Sequence, residues 1–125
     1  NKIKSKFFNK NYTELLKKKI KLFRIKKFEN LFIHNFDNLS IKDLKKIEIL
    51  LIFLKKKKYI NKIGISIYDI KSLNKLKDFN CVNIVQAPIN LIDRRFVTKK
   101  ILKFLYKKKI YLQARSIFQP PKRKD

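Results

Sequence analysis

At 125 residues the chain is about one domain long, and 34 Lys+Arg against 9 Asp+Glu give it a formal net charge of +25. Hydrophobic residues make up 45%, which suits a folded domain and excludes a disordered basic tail. The longest apolar run, residues 49–54, is six residues, far from the roughly 18–20 needed to span a bilayer. No signal-peptide layout is present, and the single cysteine, Cys81, excludes a disulfide framework or a multi-cysteine zinc site. A soluble, intracellular (cytoplasmic) α or α/β protein is expected.

The basic residues are 29 Lys and only 5 Arg, and Lys, Ile, Asn, Phe and Tyr together fill 75 of 125 positions. All five have AT-rich codons, so mutational bias is enough to produce the charge. A polyanion partner would otherwise be the first reading of +25. A nucleic-acid binder is expected to use Arg for bidentate contacts and to gather its charge on one face. Here the lysines are scattered in runs at 17–19, 55–58, 99–100 and 107–109. Several runs close a helical pattern, where each lysine favours the helix dipole by about 0.3–1 kcal/mol. The chain holds no Met, so a processed chain or a piece of a longer one is expected.

Along the chain, Leu15, Leu16, Ile20 and Phe23 have helical spacing over 11–23, and the short apolar run 30–33 follows as a strand ending at His34. Ser40 with Asp43 forms a variant capping box. It opens a helix through Ile41, Leu44, Ile47, Leu51 and Leu54, and a strand over 63–66 comes next. A third helix is expected over 70–79 with Asp69 near its N-cap, then a strand over 82–86 stopped by Ala87-Pro88. A fourth helix spans 97–108, and a last strand spans 110–114. The remainder, 119–125, holds two prolines and clustered charge and reads as an irregular basic tail.

Short apolar runs separated by crossover helices imply a parallel sheet with right-handed connections. Strand centres at Ile33, Ile65, Val85 and Leu112 lie 32, 20 and 27 residues apart, against about 31 per unit in an eightfold barrel. The fold class is therefore α/β, with about four βα units. These fit half of a (β/α)8 TIM barrel or a doubly wound sheet. No glycine-rich turn follows a strand, so the dinucleotide fingerprint and the P-loop are absent. The distinctive polar residues His34, Ser66, Gln86 and Arg115 all stand at strand ends, where barrel active sites are built.

The strand ends Leu31-Phe32-Ile33-His34-Asn35, Gly64-Ile65-Ser66-Ile67-Tyr68 and Val85-Gln86-Ala87-Pro88-Ile89-Asn90-Leu91-Ile92-Asp93-Arg94-Arg95, with the strand that leads to Arg115-Ser116, resemble successive strand ends of the aldo/keto reductases. The resemblance runs over about 11–118, in order and at matching spacing. It implies strands four to seven of a TIM barrel that moves a hydride between NADP(H), or NAD(H), and a carbonyl or alcohol, with residues 1–118 as a partial barrel. It further implies that His34 orients the substrate carbonyl and that Lys2 matches the family's catalytic lysine. Ser66 and Gln86 match positions that hold the nicotinamide carboxamide, and Arg115 and Ser116 match a segment lining the cofactor. Ile67 stands where many members have Asn. The family's general-acid Tyr and its Asp belong upstream, and no tyrosine here matches the acid, so this stretch alone is expected to be inactive.

Bland alternatives stand beside several of these residues: a lysine by chance for Lys2, a polar strand-end residue without a role for His34, a backbone hydrogen bond for Gln86, and an ion pair with Asp93 or a neighbour for Arg115-Ser116. The rival function is a basic α/β module that binds RNA or another polyanion. Expected partners are a nicotinamide cofactor and a small carbonyl compound, with no membrane, no specific nucleic acid, and self-association through open sheet edges.

Overall fold

The computed structural model describes the backbone of residues 5–115 and the side chains from Thr13 to Arg115. The tail expected over 119–125 lies outside the described residues. The elements are α1 (Ser5–Leu22), β1 (Phe28–Ile33), α2 (Ile41–Lys56), β2 (Ile60–Ser66), a 3₁₀ helix (Ile70–Lys77), β3 (Ile84–Pro88), α3 (Lys99–Lys107) and β4 (Tyr111–Arg115). The expected alternation is present, with most boundaries moved by one to three residues and the start of α1 moved from 11 to Ser5.

The four strands form one parallel sheet in the order β1-β2-β3-β4. That order answers the question left open between a barrel and a doubly wound sheet. A right-handed crossover that always steps to the next strand on the same side leaves every helix on one face. A doubly wound sheet reverses direction at a switch point, and no reversal occurs among the described strands. The fold is a partial TIM barrel.

The two sheet faces differ as the register requires, since alternate side chains point to opposite sides. Ile63, Ile65 and Val85 on one face are fully buried with Leu44, Ile47, Leu51 and Leu54 of α2. The other face carries Phe32, Gly64, Ser66, Ile84, Gln86, Tyr111 and Gln113 in aligned pairs. This second face is the lumen side of the barrel.

Local details follow from the residues. Ser40 caps α2 with the reciprocal box to Asp43, as expected. Thr98 caps α3 by accepting from the Ile101 N–H, a cap that the expected helix start at 97 overlooked. The third helix is a 3₁₀ helix rather than an α-helix. Ile70, Leu73, Leu76 and Phe79 recur every third residue, and a helix of three residues per turn puts such a row on one face. The strand expected to stop before Ala87-Pro88 runs through Pro88, which pairs with Arg115. Its pairing with β2 ends earlier, at Ser66↔Gln86, so the missing proline N–H breaks no ladder bond.

All three α-helices end on a residue with positive φ that is not glycine: Arg24 (54°), Lys58 (62°) and Lys109 (56°). The hydrogen bonds after each are those of a helix stop. For α2 the Lys58 N–H reaches the Lys55 carbonyl at 3.0 Å and the Tyr59 N–H reaches the Leu54 carbonyl at 3.0 Å. Glycine usually fills this left-handed place, but the chain has one glycine and it stands in β2.

Candidate functional site

His34 directly follows β1, Ser66 ends β2 and Gln86 lies two residues before the end of β3, and the structure brings the three into one hydrogen-bonded row. His34 Nδ1 lies 3.2 Å from Ser66 Oγ, and Ser66 Oγ donates to Gln86 Oε1 at 3.0 Å. The row runs across the lumen side of the sheet. Ser66 is buried, Gln86 half-buried and His34 exposed, so the row opens towards solvent at the histidine. A serine hydroxyl has one proton. With that proton given to Gln86, Ser66 is left to accept from the His34 tautomer that carries its proton on Nδ1, and in that tautomer Nε2 is an acceptor.

The histidine ring has a support beneath it. Phe32, two residues earlier on the same face, stacks with His34 at 6.4 Å between ring centroids and 18° between planes. Phe32 in turn lies across Gly64. Asn90 closes the loop after β3 by accepting from the N–H groups of Ile92 (2.9 Å) and Asp93 (2.7 Å). Asp93 is taken by Arg95 through two bonds of 3.0 Å, and that guanidinium holds its carboxyl below the usual carboxylate range.

Arg115 is therefore not the ion partner of Asp93. It stands exposed at the end of β4, in register with Pro88, with its guanidinium 5.7 Å from the Tyr68 ring centroid. The two side chains bridge the ends of β2 and β4. The backbone bond considered for Gln86 is also replaced, because its Oε1 accepts from Ser66. Lys2 and Ser116 lie outside the described residues. Burial pushes the Cys81 thiol up to about 12, with Glu48 adding to the rise.

Among the described residues no group of three His, Cys, Asp or Glu side chains comes together to hold a metal. No helix there is long and apolar enough to cross a membrane. Sequence reasoning overlooked Asp37, Ser72 and Lys75, which tie the loop after His34 to the segment after Ser66. Their only sequence signal is position, a few residues past a strand end.

Several solved structures share this fold. An aldo/keto reductase from Brucella melitensis superposes with a TM-score of 0.66 at 16% identity, over 93% of this chain and 44% of that one. An aldo/keto reductase from Klebsiella pneumoniae, in complex with NADP and acetate, gives 0.60 at 13% identity over 82% and 36%. The glycerol dehydrogenase from Gluconobacter oxydans gives 0.58 at 18% identity over 82% and 31%. The architecture is thus that of part of an aldo/keto reductase barrel, and the chain spans less than half the length of these structures. No protein-family profile matches the sequence, and no curated protein matches it.

Proposed function

We propose that the chain is the part of an NAD(P)(H)-dependent aldo/keto reductase that holds the nicotinamide end of the cofactor and the substrate carbonyl, acting in the cytoplasm. The observation that carries this reading is the contiguous row His34–Ser66–Gln86 across three adjacent strands. Its donor set suits a primary carboxamide, which needs one donor and one acceptor side by side. Ser66 offers a hydroxyl and Gln86 an amide, and the two are already aligned.

When bound, NADP or NAD would supply a hydride to a carbonyl carbon or take one from an alcohol carbon. The chain's own residues orient and hold. Turning the Gln86 amide over makes its NH2 the donor to Ser66, and Ser66 then donates to His34 Nδ1. His34 thereby gains an Nε2–H that bonds a carbonyl oxygen, whereas the opposite order suits a hydroxyl. By the resemblance, Arg115 and Ser116 match the segment that lines the cofactor, and Lys2 matches the family's lysine. The proton for a carbonyl oxygen comes from a tyrosine that none of Tyr12, Tyr59, Tyr68, Tyr106 and Tyr111 matches in the resemblance. A polypeptide of these 125 residues therefore does not turn over alone.

Two measurements test the reading. Titration with NADP and with NAD, followed by calorimetry, is expected to show binding that Ser66→Ala and Gln86→Ala each weaken about tenfold, the loss of one good hydrogen bond. Equal affinity in both variants overturns it. NADPH oxidation with assorted aldehydes is expected to be absent, and robust turnover overturns the assignment of the missing acid.

A further inference from the structure

The sheet does not by itself hold His34 against Ser66. The last pair between β1 and β2 is Ile33↔Ile65, and the next register pair, Ser66↔Gln86, leads away from β1. His34 is the first residue beyond its strand. Beyond the stacking of Phe32 beneath the ring, the ladder makes no contact that holds the 3.2 Å approach of His34 to Ser66, so contacts of the following loop bear on it.

The loop's fixing point is three residues further on. Asp37 Oδ2 accepts the Tyr68 N–H at 2.8 Å and the Asp69 N–H at 3.4 Å, while Oδ1 accepts the Ser72 hydroxyl. Lys75 Nζ closes the same joint from the other side, donating to the Phe36 carbonyl at 3.0 Å and the Asp37 carbonyl at 2.8 Å. Phe36 anchors the loop: it is fully buried, 5.8 Å from the Phe79 ring, with Lys75 above it at 5.3 Å. Ser72 is buried too, and Asp37 is the acceptor of its hydroxyl. Every bond in the group joins the loop that follows His34 to the segment that follows Ser66.

We propose that Asp37 is a positioning residue: by clamping the loop after β1 to the segment after β2, it sets the contact between His34 and Ser66. Its value for carbonyl orientation rests on the reductase reading above, whereas the geometric claim does not. The two fail separately. If the wild-type chain binds neither NADP nor NAD, the reading falls and the clamp is still measured on the unliganded protein.

His34 is the only histidine in the chain, so a long-range 1H–15N spectrum of the ring reports it without overlap. Ser66→Ala defines the signature of a lost Nδ1 bond. With the ring neutral, Asp37→Ala is expected to move the Nδ1 shift at least half-way from wild type to the Ser66→Ala position. Ser72→Ala and Asp37→Asn, which remove fewer bonds, are expected to move it less and in the same direction. Leu105→Ala on α3, a buried site away from the clamp, is expected to lower the urea midpoint and leave His34 unmoved. If Asp37→Ala fails to fold, the two milder variants decide. A wild-type His34 signal in Ser72→Ala and Asp37→Asn, alongside lowered stability, overturns the proposal and leaves Asp37 a purely structural bond.

Discussion

The ring of Phe32 on β1 occupies the space that a side chain at Gly64 on β2 would need. A Cβ built there stands 2.3 Å from Phe32 Cε1 and 2.5 Å from Cδ1. The pair Phe32↔Gly64 is in direct register, and the displaced ring is the one that stacks with His34. Gly64→Ala is therefore expected to cost about 1–3 kcal/mol, the usual penalty of overpacking. It should also shift the His34 ring signals. Urea unfolding together with the histidine NMR spectrum checks both, and a neutral substitution would mean that Phe32 moves aside freely.

The helix ends give a prediction of opposite sign. Lys58 and Lys109 hold positive φ, which costs an ordinary residue roughly 1–2 kcal/mol. Glycine avoids that cost but loses about 0.5–1 kcal/mol in the entropy of the unfolded chain. Lys58→Gly and Lys109→Gly are each expected to raise stability by about 0.5–1 kcal/mol, read as a higher urea midpoint with an unchanged slope.

The capping box makes α2 sensitive to acid. Ser40 hydrogen-bonds the Asp43 carboxylate at 2.8 Å through its hydroxyl, and its N–H lies 3.4 Å away. These bonds hold the Asp43 carboxyl below its ordinary value of 3.8. A carboxyl lowered in the folded state adds stability that is present above the unfolded value and is lost as pH falls through the folded one. Carbonyl 13C titration is expected to place Asp43 below 3.8 in the wild type and nearer to it in Ser40→Ala. Removing the serine cap itself costs about 1 kcal/mol.

How far the sequence went depends on which signal each element left. The parallel α/β order was legible because apolar runs and helical spacing alternate along the chain. His34, Ser66 and Gln86 were legible because each is a polar residue that follows a short apolar run, although β3 continues past Gln86 to Pro88. The 3₁₀ helix was misread because Leu73 and Leu76 also fit an α-helix, and only the complete row from Ile70 to Phe79 has a period of three. The helix stops were legible to within a residue or two from where the apolar spacing gives way to lysine runs, although Lys58 and Lys109 stand where glycine usually signals a stop. The clamp was hidden because Asp37 meets Ser72 across 35 residues of chain, and no local pattern encodes such a meeting.

The net charge of +25 guarantees some attraction to polyanions, so the rival reading has to be separated by salt. Cation–π contacts occupy Lys17, Lys57, Lys62, Lys75 and Lys108 on separate elements, which spreads the charge over the molecule. A scattered cationic surface binds through counterion release without base recognition. RNA and DNA of any sequence are expected to bind alike, weakly, and to be released at moderate salt. Filter binding at rising salt measures this. A sequence preference that persists at physiological ionic strength would favour the nucleic-acid module instead.

The last prediction concerns the sheet edges of the 125-residue polypeptide on its own. Among the described strands, β1 and β4 each have a partner on one side only, and a strand with free N–H and C=O groups invites another chain to pair with it. The lumen face beside β4 is also open, with Tyr111 exposed by 70%. At about 25 cal/mol per Å2, a few hundred Å2 of uncovered apolar surface costs several kcal/mol, comparable with a whole domain's net stability. Repulsion among the cations opposes association at low salt and fades as salt screens it. The isolated polypeptide is therefore expected to unfold at low urea when dilute and to self-associate as salt rises, two copies joining edge to edge being the simplest form. Sedimentation velocity at two salt concentrations, with urea unfolding at each, checks this. A monomer at both, with a sharp transition at high urea, would show that the four-stranded sheet is stable without further strands.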